Sequence, residues 1–108
     1  MQTLVQIICT RGPSLRDGIV NDAKLAAHQL CVVEKQRSGR SKGWAKLHST
    51  APDRRGALNI EWDAATSILL CRIVNRGAAR PHLILGDFID YIFHRHRRRI
   101  EAVNIVPR

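Results

Sequence analysis

The densest run of chemically capable side chains is His94-Arg95-His96-Arg97-Arg98-Arg99. Four arginines within five residues create a strong local positive field. Guanidinium forks grip phosphate in a bidentate way and stay charged at every physiological pH. A second basic stretch, Lys35, Arg37, Arg40 and Lys42, is interleaved with Ser38, Gly39, Ser41 and Gly43. That composition predicts a flexible arm, and a basic arm adds salt-dependent affinity for a polyanion. The chain as a whole has the same sign: 18 Lys and Arg against nine Asp and Glu leave a net charge of +9. This excess disfavours cationic partners and favours nucleic acid, an acidic protein or an anionic surface. The expected site is therefore Arg95, Arg97, Arg98 and Arg99 with Lys35, Arg37, Arg40 and Lys42. The expected partner is nucleic acid, held by its phosphates and not read base by base. That reading wants one positive face that also takes in Arg54 and Arg55. The competing reading is a module that dimerises or docks on a protein through its sheet edge, with the charge serving only solubility.

Other chemistries find less support. The segment Gly39-Arg40-Ser41-Lys42-Gly43 has the wrong order for a phosphate-binding GxxxxGK[ST] loop, and there is no GxGxxG. Gly39 and Gly43 enclose three residues, where a KH loop encloses two. No aromatic Gly-Phe strand suggests an RRM, and no two adjacent predicted helices suggest a helix-turn-helix. Trp44 has the chemistry to stack on a base, but with few aromatics available it is expected to cap the edge of the core. His94 and His96 diverge on a helix, and the neighbouring arginines repel a divalent cation, so no metal or other cofactor is expected. Cys71 with His48 or His82 is a conceivable nucleophile–base pairing, since triads assemble from distant positions. Cys71 lies in an apolar stretch, where a thiol is inert. No enzyme activity is expected; a small basic nuclease using His and Arg is the least implausible one.

These side chains need elements to hold them. Residues 2–9 read as a strand, broken by Arg11-Gly12-Pro13. Ser14, with Asp17 three residues on, resembles a capping box. The spacing of Ile19, Val20, Ala23, Ala26, Ala27, Leu30 and Val33 then predicts a helix over 15–36, followed by a linker at 38–43. Trp44 to Thr50 reads as a strand and residues 51–56 as a turn. Leu58, Ile60 and Trp62 alternate with polar residues as a half-buried strand. Asp63 to Thr66 suits a turn. Residues 67–75 read as a central strand covered on both faces, and Gly77 to Arg80 as a loop. From Pro81 a helix follows with Leu85, Phe88, Ile89, Ile92 and His96 as its apolar stripe. A last strand covers 99–106.

The predicted order, β-α-β-β-β-α-β, points to an α+β fold: a small antiparallel or mixed sheet with one or two helices packed on one face. Residues 1–43 read as an N-terminal extension and residues 44–108 as a compact core. Cys9, Cys31 and Cys71 are too few and too scattered for a disulfide framework. No stretch approaches the roughly 18 apolar residues of a membrane span, and the N-terminus lacks signal-peptide features. The expected location is the cytoplasm. Residues 44–108, through WAKL, NIEWD, GDFIDYIFHRHRRRIEAV and the closing NIVPR, resemble small proteobacterial proteins of unknown function. The resemblance implies only a compact α+β module.

Overall fold

The computed structural model describes residues 2–52, 56–74 and 81–107. The expected turn through Asp53, Arg54 and Arg55 and the expected loop at 77–80 lie outside the described residues. Among the described residues six strands form one sheet: β1 (Gln2–Cys9), β2 (Leu30–Glu34), β3 (Trp44–Ser49), β4 (Ala57–Asp63), β5 (Ile68–Val74) and β6 (Ile100–Pro107). Their spatial order is β2-β3-β4-β5-β1-β6, and every neighbouring pair is antiparallel. Two helices, α1 (Leu15–Val20) and α2 (Pro81–Arg95), and a 3-10 turn at Leu25–His28 accompany the sheet. The α+β class is as expected, but the chain has one strand more than its periodicity suggested.

The extra strand comes from the region expected to be a helix over 15–36. Ser14 does cap α1, its Oγ accepting from the Asp17 amide at 3.2 Å. The helix ends after Val20, where the Asn21 amide caps onto Asp17 and Ile19. Asp22 Oδ1 then accepts from the Lys24 amide at 2.9 Å, a side-chain turn that competes with helix continuation. Ala23, Ala26 and Ala27, all members of the apparent stripe, are exposed. Gln29 takes a left-handed backbone (φ 65°) and turns the chain into β2. Val32 and Val33 favour that strand because β-branched side chains fit a pleated surface.

The segment expected to be a linker is the loop of the β2–β3 hairpin. Its end is clamped where Gly43 lies against β4. A side chain at Gly43 would put its Cβ 2.5 Å from the Trp62 carbonyl oxygen. A boundary after residue 43 would thus cut through a hairpin. It would also remove β1, which pairs with β5 on one side and β6 on the other.

The core lies on one face of the sheet. Val5, Ile7, Leu47, Leu58, Ile60, Leu69 and Ile73 point there and meet Leu15 and Ile19 of α1 and Ile84, Phe88, Tyr91 and Ile92 of α2. The stripe of α2 is therefore rotated from the expected one: Ile84 and Tyr91 are buried, while Leu85 and Ile89 are only half-buried. β5 is central, as expected, but only one of its faces is covered. Leu70 and Arg72 stand on the opposite, open face, with Leu70 48% exposed. Among the described residues no helix is long and apolar enough to cross a membrane.

Candidate functional site

α2 delivers its C-terminus to a 3-10 turn, Arg97–Arg99, that leads into β6. Two of the four arginines there are bound into the fold. Arg95 makes a two-pronged contact with Asp22, Nε to Oδ2 at 3.0 Å and Nη2 to Oδ1 at 3.2 Å. Arg99 donates to Thr10 Oγ1 (3.2 Å), the Thr10 carbonyl (3.1 Å) and the Pro13 carbonyl (2.9 Å), and lies over the Trp62 ring. Arg97 and Arg98, between these anchors, are exposed and meet no partner among the described residues.

The second basic stretch is fastened to the open face of the sheet. Trp44 points to that face, opposite Glu61 in the β3–β4 register, yet is only 1% exposed. The loop covers it: the guanidinium carbons of Arg37 and Arg40 lie 5.0 and 5.6 Å from its ring centroid, within cation–π range. Arg37 also pairs with Glu34, which holds that carboxyl below its ordinary range. Lys35, Arg40 and Lys42 stay exposed. Trp44 is thus buried, but on the sheet face away from the core whose edge it was expected to cap, roofed by two arginines.

α1 links the two basic segments. The Pro13 carbonyl that anchors Arg99 immediately precedes the cap of α1. Arg16, on α1, donates from Nε to the Trp44 carbonyl at 3.0 Å and from Nη2 to the Lys35 carbonyl. The loop 35–42 and the turn 97–99 therefore both border α1. Arg54 and Arg55 lie outside the described residues.

A polar cluster joins α2 to the chain just after α1. The Tyr91 hydroxyl donates to Asp22 Oδ2 at 2.8 Å and lies 2.9 Å from His96 Nε2. With the hydroxyl proton committed to Asp22, His96 serves as donor through Nε2–H. The Arg95 bonds hold the Asp22 carboxyl down at about 2. Burial lowers His96, and the nearby Arg95 and Arg99 act in the same sense. Burial, and then the Asp22 contact, push the Tyr91 hydroxyl up. Alongside, His28 Nδ1 lies 3.1 Å from Asp90 Oδ2, and the rings of His28 and His94 are 5.1 Å apart. His28 thus comes from a distant part of the sequence to join His94 and His96 around Tyr91. Only the place of His96 at the end of the α2 stripe hinted at this; nothing marked Asp22 or His28. Among the described residues no such group has the geometry to hold a metal ion.

The open face also carries a groove of about 480 Å³ lined by Leu4, Gln6, Arg40, Trp44, Leu70 and Arg72, among others. Cys71 backs it from the core side and is buried; burial raises its thiol, and nearby Cys9 adds to that. Neither condition suits a nucleophile. The side chain of His82 lies outside the described residues. Cys31 is half-buried in β2.

No family model, curated protein or solved structure matches the chain. The chemistry of the site itself carries the functional reading.

Proposed function

We propose that the protein binds the phosphate backbone of nucleic acid, without reading bases, through exposed cations bordering α1. Arg97 and Arg98 are the centre of the site, and Lys35, Arg40 and Lys42 extend it. Arg37 holds the loop by its bonds to Glu34 and its place over Trp44. Arg95 and Arg99 have supporting roles, since their donors are already used within the chain. The observation that carries the reading is the pinning of one short turn at both ends, with two guanidiniums between that have no partner among the described residues. Such groups lose little entropy on meeting a phosphate, because their support is already ordered. Trp44, the aromatic beside the second basic stretch, is buried under its own loop and offers no face for base stacking, which favours backbone contacts.

Phosphate contacts release counterions, so affinity for duplex DNA should fall with salt by about 0.9 log units per log unit for each phosphate engaged. With these five cations engaged, the slope is expected at about −4 to −5. Arg97→Ala with Arg98→Ala should reduce it by about two and weaken all sequences alike. Arg97→Lys with Arg98→Lys should retain part of the affinity, because charge survives and the bidentate fork does not. The measurement is a salt titration of fluorescent DNA and RNA oligonucleotides, single-stranded and duplex. Absence of binding near about 10⁻⁶ M at low salt, a typical range for non-specific complexes, would refute the reading.

A further inference from the structure

The two edges of the sheet are treated differently. β2, at one edge, has five residues, a register irregularity between Val32 and Glu34, and a charged Glu34–Arg37 pair beside it. Short length, bulges and charge are devices that keep an edge from pairing with another strand. β6, at the other edge, runs for eight residues; its one charged side chain, Glu101, coincides with a register irregularity at the start of the strand and Pro107 closes its end, which leaves residues 102–106 regular and uncharged. Ile105 is 47% exposed and Val106 45%. A long apolar edge of this kind is a template for strand addition.

The direction of its main-chain groups follows from the hydrogen bonds of β1. The Cys9 amide donates to the Ser67 carbonyl on the β5 side (2.9 Å), and the Thr10 amide donates to the Arg99 carbonyl on the β6 side (2.8 Å). Successive residues of a strand alternate in this respect, so the even residues of β1 bond to β6. The pairs Leu4↔Val106, Gln6↔Asn104 and Ile8↔Ala102 then turn the main-chain groups of Ala102, Asn104 and Val106 inward. Those of Val103 and Ile105 face outward, with no strand among the described residues to receive them.

We propose that the chain forms a twofold-symmetric homodimer by antiparallel pairing of β6 with β6 of a second copy, centred on Asn104, which joins two six-stranded sheets into one. In this register the outward amide and carbonyl of Val103 in each copy meet those of Ile105 in the other. The same pairing sets Val103 and Ile105 of both copies side by side on the helix-bearing face. A second copy suits this edge because the arrangement is self-complementary, as an isologous interface requires. Charge does not oppose it. Antiparallel pairing sends the two Arg97–Arg99 turns to opposite ends of the ribbon, about 30 Å apart at ~3.3 Å per residue. That exceeds the Debye length of about 8 Å at physiological salt.

Sedimentation equilibrium of the full chain at about 0.1 mM in high salt, where non-specific electrostatic association is screened, should give twice the chain mass of 12.2 kDa. Ile105→Pro should abolish the dimer and keep the fold, since the outward amide it removes serves no bond within the sheet and proline is tolerated at such positions. If circular dichroism shows Ile105→Pro unfolded, Ile105→Lys takes its place, with the same loss of dimer expected. Asn104→Cys combined with Cys31→Ser should form an intersubunit disulfide on mild oxidation. Residues facing each other in a non-hydrogen-bonded pair have Cα atoms about 4.5 Å apart, within disulfide reach. A monomer mass at this concentration overturns the proposal. So does a dimer that survives the folded edge variant, or failure of the Asn104→Cys variant to cross-link. Nucleic-acid binding by Arg97 and Arg98 is measured separately, so either result leaves the other standing.

Discussion

Asp22 meets three side chains at once: the Tyr91 hydroxyl at 2.8 Å, the Arg95 guanidinium at 3.0 Å and His96 Nε2 at 3.8 Å. Its side chain is 7% exposed, so removing it strands the hydroxyl of buried Tyr91. Asp22→Ala is expected to cost about 1–3 kcal/mol, the usual penalty for such orphaned groups. The cluster also sets the acid response. Asp22 titrates at about 2 in the fold, below its ordinary 3.8, so its contribution is complete above that ordinary value and is lost as pH falls towards 2. His96 is likewise held below its ordinary 6.5 in the fold. Its neutral form is favoured by folding, so stability declines as pH drops below about 6.5. Both groups bind fewer protons folded than unfolded, and acid favours unfolding. Urea melts across this range should show two descending steps, with His96→Gln flattening the upper and Asp22→Asn the lower. Stability that rises on acidification from neutral pH would contradict this assignment. At the neighbouring Arg97 and Arg98 the residue-scale prediction is the loss of salt slope already described.

At the scale of elements, α2 is the support on which that cluster and the arginine turn depend. Its buried face is Ile84, Phe88, Tyr91 and Ile92, while Phe93 is 45% exposed. Phe88→Ala should cost about 3–5 kcal/mol, the range for emptying a buried aromatic site. Phe93→Ala should cost far less. Comparable losses at the two positions, read from denaturant midpoints, would mean that the helix is docked in another phase. The expected stripe contained Phe88 and Ile92 but missed Tyr91. Its hydroxyl marks it as polar, and only the Asp22 and His96 partners offset the cost of burying it. β2 was invisible for a related reason. Leu30 and Val33 fit helical spacing, yet as members of a strand they fall on opposite faces, Leu30 buried and Val33 exposed; a short apolar run does not separate helix from strand.

At the scale of the whole molecule, β1 occupies the position between β5 and β6, so Gln2–Cys9 completes the sheet. Val5 and Ile7 are fully buried there, and Leu15, Ile19 and Leu30 cover the core from the same segment. A chain beginning at Trp44 is expected to show no cooperative thermal transition. It would lose β1, leave β6 unpaired and expose the apolar face that α1 covers. A sharp two-state melt from that fragment would restore the division into an extension and a self-sufficient core.

Much was legible from the chain alone. The positive charge is a sum over residues and needs no fold. β1, β4, β5, α2 and β6 announce themselves through local periodicity or a short continuous apolar run. Ser14 and Pro81 likewise mark helix starts by chemistry confined to a few residues. What tertiary structure decided is which of the basic residues remain available. Arg95, Arg97, Arg98 and Arg99 are equivalent as a string. Arg95 and Arg99 are withdrawn only because Asp22, Thr10 and Pro13, distant in the chain, come to lie beside them. The loop 35–43 reads as a linker until Trp44 rises beneath it on the open face. Strand order and register are set by pairings across the whole chain, and no local pattern encodes which apolar face will find which partner.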